Sequence, residues 1–310
     1  MKGDYEMSKE TEKMFKEMHK FLEKNDMGNM SVKEMESFIE KFAEEYNSNI
    51  GESITPETAQ SADDYIELAM ESLDRTDAEN YINKALEIEP DNLDALNMSL
   101  DIMECTSWEY YQKISAAVEK GNEIMEEKGF FDKENIGYFW GILETRPYMR
   151  LRANYMNFLI ESGMMALAAK EGEELIRLCE GDNLGIRFRL MHIYAFLEEK
   201  DKALKLYKKF DEYNESQMLL PLAILYFKLG DFEKAEEHLS LLNETNKDTQ
   251  EFFSAIKNDD LEKYVSEVNG YAYRPFTIDE LVNELIDNSF VFSTTPLFLQ
   301  WAYEKTSDAE

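Results

Sequence analysis

The sequence predicts an all-α protein made of stacked antiparallel helix pairs, and three observations carry that prediction. Glycine and proline are scarce, 13 and 6 in 310 residues, while Glu, Lys, Leu, Met and Ala are abundant, a composition suited to helices and poor for a turn-rich sheet. Apolar side chains recur at spacings of three and four along most of the chain. A helix-turn-helix unit also repeats at a near-constant distance. With 44% hydrophobic residues, the chain can bury a substantial core.

The first 50 residues predict a helical hairpin. Met14, Phe15, Met18, Phe21 and Leu22 form one apolar stripe over 8–24, and Met35, Phe38, Ile39, Phe42 and Ala43 form another over 31–46. A polar stretch from Asn47 to Glu57, with Gly51 and Pro56, marks a linker. A repeat region over 57–258 follows, and a helical cap over 259–310 closes the chain.

The repeat is clearest in LLPLAILYFKLGDFEKAEEHLSLL, residues 219–242. Leu222, Ala223 and Tyr226 face inward from the first helix, Gly230 permits the turn, and Ala235 lets the second helix approach. That is the tetratricopeptide pattern. Leu190, Tyr194, Ala203, Tyr207 and Phe210 repeat it over 184–213; Met156, Leu159, Gly163, Ala168 and Leu175 repeat it over 148–180. The small residues Ala168, Ala203 and Ala235 are 35 and 32 apart, near the roughly 34 residues of this repeat. An earlier copy carries Ala78, Ala85 and Pro90, and a degenerate one spans 92–128 with a long second helix from Trp108 to Lys128. Stacking such units yields a right-handed superhelix with a concave groove.

Two further segments are more specific. Phe139, Trp140 and Gly141 precede Thr145 to Arg150 (TRPYMR), and Asp182, Asn183, Gly185, Ile186 and Arg187 form a second signature; Thr295, Pro296 and Trp301 lie near the C-terminus. With these the chain resembles bacterial tetratricopeptide proteins related to the suppressor-of-tumorigenicity-seven family, over about Ser61 to Tyr303. The resemblance implies a repeat scaffold without an assigned catalytic residue.

Charge narrows the function classes. The net charge is −32, which opposes nonspecific binding to nucleic acid or anionic lipid. Residues 1–50 carry −4, so the hairpin offers no basic recognition helix. No apolar run approaches the roughly 20 residues of a membrane span, and no secretory signal opens the chain, so a cytoplasmic protein is expected. Cys105 and Cys179 lack ligand spacing and are expected as buried structural thiols. No phosphate loop, dinucleotide fingerprint, metal motif or nucleophile elbow appears. Neither a cofactor nor an enzymatic role is expected.

Residues 146–189 alone escape the acidic rule, at +1, and hold six of the eight arginines. In a tetratricopeptide stack the first helices line the groove, which places Arg150, Asn154, Asn157, Arg189, His192 and Lys228 inward as a cationic and amide strip. Guanidinium groups fork onto carboxylates, so the strip suits an acidic or carboxylate-bearing protein segment. Arg146 and Arg187, beside turns, are expected instead to pair with internal acids. The function read from these residues is a protein-protein interaction scaffold. The alternative is a peptide-sensing regulatory receptor with a protein-directed output.

Overall fold

The structure is a computed structural model describing residues 12, 14, 15, 18, 37, 40–42, 54–265 and 273–307. The expected N-terminal hairpin lies mostly outside the described residues. Among those residues every regular element is a helix, without a β-strand. None of these helices is long and apolar enough to cross a membrane. The chain forms two compact units, residues 3–154 and 155–310.

In the first unit, α1 (Ala62–Glu71), α2 (Arg75–Ile88), α3 (Leu93–Asp101) and α4 (Ser107–Glu127) pack in chain order. Each begins where a short polar side chain takes up orphan backbone N–H groups. Ser61 and Thr106 form reciprocal capping boxes with Asp64 and Glu109, while Asp74 and Asn92 accept from the first turns of α2 and α3. Ala62, Ile66, Ala85 and Ala95 knit α1 to α3 into a small core. Helix α4 is 21 residues long, in keeping with the long helix expected from Trp108 to Lys128. A methyl group on its Gly121 would stand 2.7 Å from the Tyr148 ring, so only glycine lets that ring lie against α4. Tyr148 and Phe139 are fully buried, whereas Tyr138 is 70% exposed.

Helix α5 spans Arg146–Glu161. The second unit continues with α6 (Met165–Leu178), α7 (Ile186–Leu197), α8 (Lys200–Lys209), α9 (Ser216–Lys228), α10 (Phe232–Thr245) and α11 (Thr249–Lys257). It ends with α12 (Glu262–Val265), α13 (Ile278–Asp287), α14 (Ser289–Phe292) and α15 (Pro296–Ser307). The pairs expected at 148–180, 184–213 and 216–243 are α5/α6, α7/α8 and α9/α10. Their turns share one device, a residue in the left-handed region five places before the buried alanine. Gly163 (φ 72°) precedes Ala168, Glu198 (φ 61°) precedes Ala203, and Gly230 (φ 75°) precedes Ala235. All three alanines are 0% exposed.

Two stability predictions follow from this register. Ala203→Leu and Ala235→Leu each overpack a helix crossing and should cost about 1–3 kcal/mol in urea unfolding; unchanged midpoints would show the crossings lie elsewhere. Glu198 bears the strain that glycine avoids in the sister turns, and its 3.5 Å approach to Lys228 is half exposed. Glu198→Gly should therefore raise stability by roughly 0.5–1 kcal/mol, measurable in the same titration; a loss of stability would count against the strain.

Helix α9 departs from the one-sided helix of an open groove. From Met218 to Tyr226 every side chain is buried. A helix apolar on all sides needs cover on all sides. It packs on α10 and α7, and on α13 and α15 from the C-terminal segment. Helix α14 lies on α7, and α15 packs along α11. The segment expected as a terminal cap thus lies on α7 and α9, the first helices of two of these pairs.

Candidate functional site

The TRPYMR segment is wiring for the first unit. The Thr145 hydroxyl lies on the Phe139 carbonyl and 3.0 Å from that of Ile142; Arg146 Nε donates to the Trp140 carbonyl at 2.8 Å. Pro147 sits in the first turn of α5, where its missing N–H costs nothing. The Tyr148 hydroxyl donates to Asn122 Oδ1 and accepts from Arg152 Nη1 at 2.8 Å.

Arg150, expected to meet a ligand, spends its charge inside the chain. Its Nε donates to Asp94 Oδ1 at 2.8 Å and its Nη1 to Glu12 Oε2 at 3.0 Å. Arg146 Nη1 adds a second cation 3.6 Å from Glu12. Arg150 is 6% exposed and Glu12 4%. Burial works against the charged guanidinium, but Asp94 and Glu12 outweigh it and hold the group above its ordinary range. Asn154 is likewise engaged, its amide donating to Asn97 Oδ1 at 2.8 Å.

The second signature builds the start of α7. The Asp182 carboxylate accepts from the backbone N–H of Ile186 at 2.7 Å and of Arg187 at 3.0 Å, and from Arg187 Nη1 at 3.1 Å. Gly185, at φ 66°, turns the chain into the helix. Arg187 reaches Glu215 as well, at 3.0 Å, so both Arg146 and Arg187 pair internally as expected. At the other end of α7, Lys228 Nζ donates to the carbonyls of Ala195 at 2.9 Å and Phe196 at 2.6 Å. That is a cation closing a helix C-terminus. Asn157 is half-buried.

Of the six strip residues, Arg189 and His192 share a neighbourhood. They face the C-terminal segment. A guanidinium N–H of Arg189 donates to the Asp287 carbonyl at the end of α13. Burial lowers its pKa, against the pull of Asp287 and Glu161. His192 is 0% exposed, with Nδ1 2.8 Å from the Phe188 carbonyl and Nε2 3.0 Å from Glu284 Oε1. One turn earlier on α13, Glu280 accepts from Ser216 Oγ at 2.8 Å and from the Phe276 N–H at 2.9 Å. Asn246 Nδ2 stands 3.4 Å from the same oxygen.

Sequence reasoning missed Glu280, Glu284, Asn288, Glu12 and Asp94. Five acids among the described C-terminal residues 273–307 look like solvated helix charge in a chain with 65 acids. The available signal was α13 itself, where Glu280 and Glu284 are interleaved with Ile278, Leu281 and Val282 on a helix with few solvent-facing positions. Among the described residues no group of three or more His, Cys, Asp or Glu could hold a metal ion. Cys179 is buried, Cys105 half-buried, and both are free thiols. Among the described residues, Arg150, Arg187, Arg189 and Lys228 all find partners within the chain, and a buried imidazole and carboxyl meet at His192 and Glu284. No family model matches the sequence and no curated protein does either, so the functional reading rests on this geometry.

Proposed function

We propose that the protein is a non-enzymatic, cytoplasmic interaction scaffold of the tetratricopeptide type, resembling the suppressor-of-tumorigenicity-seven proteins. Its helix pairs stack in the right-handed sense of that repeat. The first-helix faces recognise short acidic or carboxylate-bearing protein segments. One observation carries the reading: α13 to α15, from a stretch with five acids and two bases over 273–307, lie on α7 and α9, the faces such a scaffold offers to a partner. The chain itself supplies the resident segment. A partner helix of the same character, acidic on one side and apolar on the other, competes for that place.

The test is a titration of full-length protein with a labelled synthetic peptide of residues 273–307, followed by fluorescence anisotropy, beside a peptide of scrambled sequence. Specific binding that weakens with salt is expected. Equal binding of the scrambled peptide, or none to a chain whose own segment has been loosened by substitution in α15, would remove the reading.

A further inference from the structure

Helix α13 meets α7 at a point where buried polar atoms outnumber the donors that could satisfy them. The Phe188 carbonyl can only accept, so His192 Nδ1, 2.8 Å away, carries its proton and donates. Nε2 is left with its lone pair turned to Glu284 Oε1 at 3.0 Å. Both side chains are 0% exposed. Among the described residues no donor reaches Nε2, either Glu284 oxygen or Asn288 Oδ1. Two lone pairs at this separation repel in a dry interior, and one proton between them turns the repulsion into a hydrogen bond.

We infer that Glu284 is a protonated carboxyl that donates to His192 Nε2, and that this single proton is the clasp by which α13 closes on α7. The charges around the pair agree. Burial first, and then Glu280 one turn away, raises the Glu284 pKa well above its ordinary value. Burial chiefly, with Arg189 adding to it, lowers His192 to about 4, against the bond to Phe188. The other groups facing the pair are Arg189 on α7, Glu280 and Asp287 on α13, Tyr273 ahead of α13, and Glu161, which acts on Arg189.

The pH dependence follows from counting protons. Unfolded, the pair binds two below the ordinary glutamate value of 4.5, one between that and the histidine value of 6.5, and none above. Folded, it keeps one from about pH 4 upward until Glu284, held well above its ordinary value by burial, ionises. Stability from the pair is therefore level between pH 4.5 and 6.5. Above 6.5 the folded state holds the extra proton, so the folding constant falls by about tenfold per pH unit until Glu284 ionises. The acid side contributes little, since folded His192 protonates soon after unfolded Glu284 does. In a cell, alkaline drift would loosen α13 and bare the α7 face beneath it.

The experiment is urea unfolding of the full chain from pH 6.5 to 8.5, wild type beside Glu284→Gln. Glutamine can donate its amide to Nε2 and has no proton to lose. Background titration cancels in the comparison, and wild type should lose roughly tenfold per pH unit relative to the variant. Parallel profiles would overturn the proposal. A second measurement guards against a variant that fails to fold: infrared spectroscopy of native wild type at pH 7 should show the C=O stretch of a buried protonated carboxyl. Its absence would also overturn the assignment.

Discussion

Replacing Arg150 with methionine is expected to lower stability by about 3–5 kcal/mol, because it strips the cation from two carboxylates that the fold has taken out of water. The guanidinium forks onto Asp94 and reaches both oxygens of Glu12. Glu12 is 4% exposed, so neither water nor a rotamer change can replace what is lost. Arg146 stays 3.6 Å from Glu12 and softens the effect there, leaving Asp94 the more exposed to it. Arg150→Lys should fall in between, since an ammonium is a point charge and cannot serve both acids in the plane of a fork. Glu12→Gln should cost less than either, because Asp94 still neutralises the arginine. Urea titration with an unchanged slope reads all three. A near-neutral Arg150→Met would return this residue to the role of an open ligand contact.

The pairing of the helices was legible because it is local. A turn residue, an alanine five places later and the spacing between units sit within short windows, and Gly163, Gly230, Ala168, Ala203 and Ala235 declared themselves. Glu198 did not, since nothing in its identity signals a left-handed backbone. Arg187 was legible as an internal pair, its partner Asp182 being five residues away. The partners of Arg150 are 56 and 138 residues away, and in a chain with 65 acids no single sequence says which two they are. The run from Met218 to Tyr226 was informative and was read for one face only. Unbroken burial there required cover on the far side, and α13 and α15 are that cover.

Phe298→Ala should produce a loss of comparable size, about 3–5 kcal/mol, from a fully buried ring removed at the start of α15. The side chain is 0% exposed and stands among Phe227 at 5.5 Å, Trp301 at 5.8 Å and Phe253 at 6.2 Å between ring centroids. Truncation leaves a cavity walled by rigid rings that cannot collapse into it, which places the cost high in the usual range. Leu297, its neighbour at 67% exposure, is the control, and Leu297→Ala should change stability by no more than about 0.5 kcal/mol. Hydrogen exchange distinguishes how the energy is distributed. Because the lost contacts tie α15 to α9 and α11, amides of α13 to α15 should lose protection in Phe298→Ala while those of α9 and α10 keep theirs. Uniform loss across α7 to α15 would mean that the C-terminal segment folds as one unit with the repeats, and that no partner could take its place without unfolding them.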